Sequence, residues 1–255
     1  MALNKKLKLF IFLILQFFIF SLNAQEKDEA QIKKQIEKLY LKKDIKGINL
    51  LINKNTFLDP EYALSALYKN IQLAQNEKDK ENLLISTYLT LGSFWARQGN
   101  KTKAYESFVL GENYSRRIND QKRLGLLLGQ ANIIDEIPLK IEKYNEVIQI
   151  LEEQKDTLNL IRTHLNLGFV YTSKFLNEKI PQKSNKDSAF SQYNQAQKLN
   201  RLFGNKEMTA LLKYRKAEWE LYYKNYSKAS ELLIESENLF TDLGLIQWKI
   251  YCLLT

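Results

Sequence analysis

The hydrophobic and small residues of the stretch 88–111 repeat with the period of an α-helix. They fall on one face of a first helix at Tyr88, Leu91, Gly92 and Trp95, and on one face of a second helix at Ala104, Phe108 and Gly111. The polar sequence RQGN at residues 97–100 separates the two faces and predicts a turn. The pattern therefore predicts two antiparallel helices that approach closely at the small residues Gly92 and Ala104.

The same pattern recurs along the chain. A second copy has the residues His164, Leu167, Gly168 and Tyr171, then Ala189, Tyr193 and Ala196. A third copy has Ala217, then Ala229, Leu233 and Ser236. A weaker copy places Gly129 in a helix over 121–134 and a partner helix from Pro138 to about Gln154. The small residues of the first helices thus recur at intervals of roughly 40 residues, which predicts an array of helix pairs.

These units resemble the tetratricopeptide repeat, whose signature is Trp-x2-Leu-Gly-x2-Tyr, then Ala-x3-Phe, then Pro. This chain matches it with Tyr88, Leu91, Gly92 and Trp95, then Ala104 and Phe108, while Arg116 takes the place of the Pro. The resemblance covers about residues 59–255 and is to the bacterial long-repeat type. It implies an all-α fold, a right-handed superhelical solenoid of antiparallel helix pairs. Residues 25–58 carry no repeat marks, and we expect them to form an N-terminal helical cap.

The composition agrees with a helical chain and argues against several classes of function. Three prolines and nine glycines in 255 residues leave few helix breakers. The net charge is +9, but acidic and basic residues alternate without long blocks, so we expect this segment to bind no nucleic acid. His164 and Cys252 are the single histidine and cysteine, which leaves no disulfide and no Cys–His site. We therefore predict no catalytic residue, no metal and no cofactor.

The first 24 residues have the pattern of a signal peptide. Lys5, Lys6 and Lys8 precede the apolar stretch Leu9–Leu22, which is too short as a helix for a hydrocarbon core of roughly 30 Å. Ala24 marks a cleavage edge, although Leu22 is an imperfect residue at the minus-three position of that cleavage site. One interpretation is that the segment directs export to the periplasm and is cleaved. The other is that it stays uncleaved as a membrane tether.

The resemblance also implies where a partner would bind. In the family the first helices line a concave groove, and the positions that face it here combine apolar residues with scattered arginines and tyrosines. The candidate partner-binding residues are Arg97, Arg123, Arg162, Phe169, Tyr214 and Tyr222. Such a lining suits a protein partner, either an extended peptide or a helix. The alternative for each residue is that it packs against a neighbouring repeat.

Two further segments depart from the repeat. Residues 176–188 form a polar insertion with Pro181 and predict a surface loop between two helices. Residues 245–255 are largely apolar and predict the first helix of another repeat, with Tyr251 at the small-residue position. We expect the sequence to be a fragment of a longer protein, with a terminal cap and a self-association surface as alternatives.

The expected function is protein–protein interaction. Many exported members of the family with long repeats form the input region of signalling proteins of the histidine kinase or transcriptional regulator type. The resemblance thus implies an extracytoplasmic input region for this chain. A stand-alone periplasmic scaffold is the alternative.

Overall fold

A computed structural model describes residues 28–255. The predicted signal peptide at residues 1–24 lies outside the described residues, so its cleavage and the tether stay predictions. A helix described over 28–41, called α1, is followed by α2 (Ile45–Lys54), α3 (Pro60–Ala74), α4 (Lys80–Arg97), α5 (Lys101–Arg117), α6 (Gln121–Leu128), a 3-10 turn (Gly129–Ile133), α7 (Ile137–Gln154), α8 (Thr157–Asn177), α9 (Lys183–Phe203), α10 (Lys206–Tyr222), α11 (Tyr226–Asp242) and α12 (Ile246–Leu254).

Short polar side chains fix where several of these helices begin. Asp59, Asn100, Asp156 and Asn205 each accept a hydrogen bond from the backbone N–H three residues further on. These bonds satisfy amide groups of the first turn that have no partner within the helix. The recurring Asp or Asn thus separates consecutive helices with turns of only a few residues.

The chain divides into two compact units, residues 1–120 and 121–255. In the described part of unit 1, the core includes Ile36, Ile48 and Leu67 from three successive helices. The α4–α5 pair is close-packed, because a Cβ atom on Gly92 would lie 2.3 Å from Cε1 of Phe108. The predicted close approach at Gly92 is confirmed, although the neighbouring atom belongs to Phe108.

In unit 2 the α8–α9 pair has the same construction. A Cβ atom on Gly168 would lie 2.5 Å from Cε1 of Tyr193, so the aromatic ring fills the space beside the glycine. The α10–α11 pair follows, with Ala217 and Ala229 fully buried. Residues 28–255 contain no strand. The predicted fold class, all-α with successive helix pairs of the tetratricopeptide type, is confirmed.

The weakest predicted helix differs from the structure. The α-helix α6 stops at Leu128, and a 3-10 turn replaces the rest of the predicted helix over 121–134. A Cβ atom on Gly129 would meet open space, whereas one on Gly125 would lie 3.3 Å from Cγ2 of Ile150. Gly125 therefore occupies the close-packed position that the sequence assigned to Gly129.

The predicted loop at residues 176–188 is largely helical. The helices α8 and α9 extend into it from both sides, and each is 21 residues long. The carboxylate of Glu178 accepts hydrogen bonds from the Asn185 amide at 3.0 and 3.1 Å and from the Gln182 backbone N–H at 3.2 Å. These bonds brace the short connection, so the insertion lengthens both helices instead of forming a loop.

The last helix, α12, packs on α10 and α11 with one face only. Trp248 stacks on Phe240 with ring centroids 5.6 Å apart, and Sγ of Cys252 lies 3.6 Å from Oγ of Ser236. Cys252, not Tyr251, is thus the small residue that faces the neighbouring helix. The opposite face exposes Ile246, Tyr251, Leu253 and Leu254. Self-association through this face stays a prediction.

Candidate functional site

The short helix α6 leaves a cleft in unit 2. The α-helix α6 ends at Leu128 after 8 residues, whereas α8 has 21 residues. Residues of the segment 129–136 after α6 lie opposite α7 and α8 and line the cleft with them. Two pockets open there, with volumes of about 270 and 230 Å³. We call them together the α8 cleft, and its principal lining residues are Leu126, Tyr144, Arg162, Asn166, Phe169 and Ser173.

Two polar side chains, Tyr144 and Asn166, line both pockets. Tyr144 is only 2% exposed, and its hydroxyl makes no hydrogen bond within residues 28–255. Burial raises the pKa of Tyr144 to about 12. Because Tyr144 lines both pockets, its hydroxyl can donate a hydrogen bond to a ligand there and accept one from it. Asn166 is exposed and offers an amide donor and a carbonyl acceptor beside it.

The outer face of α8 supplies a charged and an aromatic side chain to the cleft. Arg162 lies 3.9 Å from the carboxylate of Glu207 on α10, an exposed ion pair that is worth little by itself. Phe169 is 40% exposed, and the guanidinium of Arg215 lies 4.0 Å from the centroid of its ring. The cleft therefore has an aromatic wall and charged residues of both signs, since Asp135 and Asp156 line it together with Lys122, Lys140 and Arg162.

An ion pair holds the arginine that covers Phe169. Nη1 of Arg215 lies 2.9 Å from each carboxylate oxygen of Glu218, one turn further along α10. One nitrogen is thus shared between two oxygens, a charge-assisted contact that keeps the guanidinium beside Glu218. The position of Arg215 over the Phe169 ring is thus set by α10 itself.

The structure brings two of the six predicted residues, Arg162 and Phe169, to this cleft. Arg123 lies on α6, half-buried and already engaged in a contact, and does not line either pocket. Tyr222 is exposed on α10 but packs on Phe175 with ring centroids 5.5 Å apart. Arg97 is exposed at the end of α4 in unit 1, so it belongs to a different unit from the other five.

Tyr214, the sixth predicted residue, packs against the C-terminal helix, and its role in binding a partner stays a prediction. It is 7% exposed, and its ring meets Trp248 of α12 with centroids 6.1 Å apart. Its hydroxyl lies 3.1 Å from Oγ1 of Thr255. Residues of α12 therefore cover the ring, which leaves little of Tyr214 for a partner to reach.

The sequence missed Tyr144, Asn166 and Arg215. Tyr144 lies on a second helix, and the family resemblance assigns groove positions to first helices only. Its side chain is buried, yet it lines both pockets together with residues of the segment that follows α6. The sequence contains one sign that α6 ends early. The helix breakers Gly129 and Pro138 flank the segment after Leu128, although the apolar residues of that segment keep the period of a helix.

The residues considered for chemistry have structural roles. His164 is buried, and its Nδ1 lies 2.7 Å from Oε1 of Gln192 on α9. Cys252 is a buried free thiol whose pKa is raised by burial. Within residues 28–255 there is no group of three acidic, histidine or cysteine side chains that could hold a metal ion. Nor does any helix of this described part have the length and apolarity to cross a membrane.

Comparisons with known proteins agree on the fold. No protein-family model matches the chain, and no curated protein matches it. Among solved structures, BtubC (BKLC) from P. vanneervenii superimposes with a TM-score of 0.69 at 15% identity over 87% of this chain and 92% of BtubC. A signal transduction ATPase with numerous domains from Pyrococcus horikoshii, which has a tetratricopeptide repeat sensor, superimposes with a TM-score of 0.59 at 15% identity.

The second match covers 92% of this chain but 38% of the ATPase. At this identity the likeness shows the fold alone. The chain is therefore similar to helical-repeat proteins of the tetratricopeptide type.

Proposed function

We propose that the chain is a non-enzymatic protein-interaction module whose α8 cleft holds an extended peptide segment of a partner protein. The observation that carries the proposal is that Tyr144 and Asn166 line two adjoining pockets together. An extended peptide presents N–H and C=O groups at regular intervals, and a hydroxyl beside an amide can pair with both kinds of group.

The walls of the cleft suit the side chains of such a segment. Phe169 offers an exposed aromatic surface, and Arg162 offers a cation whose pairing with Glu207 is long and solvent-exposed. Aromatic and Arg side chains are the residue types that most often dominate binding energy at interfaces. A segment with an apolar anchor next to an acidic residue fits this order of groups.

The experiment is selection from a displayed peptide library with the 255-residue chain, followed by calorimetric titration of the selected peptides. We expect binding to weaken roughly tenfold or more in Tyr144→Phe and in Asn166→Ala, since each variant removes a hydrogen bond to the peptide. Asn194→Ala, at an exposed position of α9, is the matched control and should bind like the parent. Equal affinity of the selected peptides for parent, Tyr144→Phe and Asn166→Ala would overturn the proposal.

The cellular setting is a separate proposal that rests on the sequence of residues 1–24 and on the repeat type. We propose that the chain is exported or tethered facing the periplasm, as the input region of a signalling protein, with a stand-alone scaffold as the alternative. N-terminal sequencing of protein from the envelope fraction tests export: a new terminus near Ala24 supports cleavage, and an intact Met1 in the soluble cytoplasmic pool contradicts it. A membrane span in the downstream reading frame would favour the signalling protein over the scaffold.

A further inference from the structure

A third pocket of unit 2 lies between the helices α9, α10 and α11, away from the α8 cleft. Its volume is about 220 Å³, and its apolar part is formed by Leu212 and Leu232. The remaining lining is polar and basic: Gln197, Asn200, Arg201, Thr209, Lys213 and Lys216. None of these side chains lines the α8 cleft.

The three cations of this pocket are only partly neutralised. Lys213 forms a short ion pair with Glu235 of α11. Nζ of Lys216 donates a hydrogen bond to Oε1 of Gln197 at 3.2 Å, a neutral partner that leaves its charge uncompensated. Arg201 is exposed and has no ion pair within residues 28–255. Three cations and the single carboxylate of Glu235 leave an excess of two positive charges at the pocket.

The three cations of the pocket repel one another. Burial lowers the pKa of Lys216, and the charges of Arg201 and Lys213 lower it further. A lowered pKa means that the protein pays free energy to keep this ammonium charged where it lies. An anion placed among the three side chains would remove that repulsion, because opposite charges attract strongly where water is partly excluded.

The neutral polar side chains of the pocket are already committed to each other. Nδ2 of Asn200 donates to Oγ1 of Thr209 at 2.9 Å and to the Asn205 carbonyl at 3.0 Å, and Oδ1 accepts from the Asn205 backbone N–H at 3.1 Å. Oγ1 of Thr209 donates to the Asn205 carbonyl at 3.0 Å. These bonds hold the Asn200 and Thr209 part of the wall in place, so the donors left for a ligand are the guanidinium group, the ammonium groups and the amide of Gln197.

We propose that this pocket binds an oxyanion with two negative charges, a phosphate group, between Arg201, Lys213 and Lys216. Two negative charges match the excess of two positive charges, and a planar guanidinium beside an ammonium suits the several acceptor oxygens of a phosphate. The group can be free inorganic phosphate or a phosphoryl group carried by a small metabolite, and the apolar surface of Leu212 and Leu232 would contact the rest of such a metabolite. This inference does not depend on the peptide that we propose for the α8 cleft.

The test titrates the 255-residue chain with inorganic phosphate at pH 8 and follows the thermal midpoint, with sodium chloride added to keep the ionic strength constant. A ligand that binds only the folded state raises the midpoint in proportion to its saturation. We expect a rise with phosphate in the parent and in Lys198→Gln, an exposed lysine of α9 outside the pocket. In Arg201→Gln and in Lys216→Gln the apparent affinity should fall roughly tenfold or more, since each loses a charge-assisted hydrogen bond.

Three comparisons decide the outcome. An equal rise in parent, Arg201→Gln and Lys216→Gln would overturn the pocket assignment, and an equal rise with acetate would overturn the preference for a doubly charged group. O-phosphoserine in place of phosphate distinguishes the sources, since tighter binding of O-phosphoserine supports a carried phosphoryl group and tighter binding of phosphate supports the free ion. Because Arg201 is exposed, Arg201→Gln keeps the test decisive if Lys216→Gln fails to fold.

Discussion

Gly168 and Tyr193 approach so closely that a Cβ atom on Gly168 would lie 2.5 Å from Cε1 of the Tyr193 ring. The Tyr193 hydroxyl lies 2.9 Å from Oγ1 of Thr172, one turn further along α8. Because Gly168 has no side chain, the Tyr193 ring fits against α8, and the hydrogen bond between Tyr193 and Thr172 fixes the position of the ring. This relationship sets how α8 lies against α9, and so supports the outer face of α8 that carries Arg162 and Phe169.

Replacement of Gly168 by Leu should destabilise unit 2. The new side chain would have to displace the Tyr193 ring from a close-packed site, and overpacking of this kind costs about 1–3 kcal/mol. Urea unfolding followed by circular dichroism measures the change. Gly129→Ala is the matched control, because a Cβ atom there meets nothing within 4 Å. The control should be neutral or stabilising by about 0.4–1 kcal/mol, since alanine restricts the unfolded chain more than glycine does; the reverse order of the two variants would contradict the repeat alignment.

The same experiment applies to unit 1. Gly92→Leu should cost about 1–3 kcal/mol, because the new side chain would meet the ring of Phe108, whose Cε1 lies 2.3 Å from the position of the added Cβ. An unchanged midpoint of unfolding in Gly92→Leu would show that Phe108 can move aside, and would remove Gly92 from the packing residues.

The packing of the helix pairs could be predicted because it depends on neighbours within one repeat. Gly92 and Phe108, like Gly168 and Tyr193, belong to one pair, and their spacing is visible in the sequence. The α8 cleft could not be predicted in this way. The apolar period of a helix continues through Ile133 and Ile134, while the backbone turns extended at Ile134, with φ −73° and ψ 129°. Periodicity reports which residues are buried, and Ile134 is buried although its backbone is extended and not helical.

The position of Tyr214 shows a second limit. The family resemblance places it in a groove, and the assignment assumes that nothing covers that face. Trp248 of α12 and Thr255, which follows α12, contact Tyr214 although they lie more than thirty positions away along the sequence. Contacts between two repeats depend on the sizes of the side chains in both repeats. A transfer of single positions from a family carries no information about those sizes.

The hydrogen bond between Thr172 and Tyr193 should contribute measurably to stability. Both hydroxyl groups are buried, and Thr172 also donates to the Gly168 carbonyl at 2.9 Å. Tyr193→Phe should therefore cost about 0.5–1.5 kcal/mol, the usual net value of such a bond. A double-mutant cycle with Thr172→Val separates the pairwise energy from the loss of packing. Strict additivity of the two single changes would contradict a direct bond.

Tyr144 should give unit 2 a stability that depends on pH in the alkaline range. Burial raises the pKa of its hydroxyl from 10.0 to about 12. Below pH 10 the group is protonated in both states and has no effect. Between pH 10 and 12 the unfolded chain loses the proton and the folded chain keeps it, so the free energy of unfolding falls by up to about 1.4 kcal/mol per pH unit.

Urea unfolding at pH 9 and pH 11 tests this prediction. Tyr144→Phe should lose less stability between the two values than the parent does, since phenylalanine has no proton to release. Tyr226→Phe, at a tyrosine that is 64% exposed, is the control and should lose as much as the parent. Parallel losses in Tyr144→Phe and the parent would show that the hydroxyl titrates as in water.

Tyr214→Ala should act on stability and not on binding to the α8 cleft. Its ring is covered by Trp248 and its hydroxyl lies 3.1 Å from Oγ1 of Thr255, so truncation opens a cavity and frees α12 from one of its anchors. Loss of a buried aromatic side chain costs about 3–5 kcal/mol. Tyr222→Ala, at a tyrosine of α10 that is 43% exposed, should cost less, since its side chain is only partly buried. It loses contacts with the rings of Phe175, Trp219 and Tyr223, and an aromatic pair is worth about 0.5–1.5 kcal/mol. Urea unfolding measures both variants, and titration with a peptide selected on the parent measures their binding at a temperature where each is folded. A folded Tyr214→Ala that has lost the peptide would return Tyr214 to the partner-binding residues.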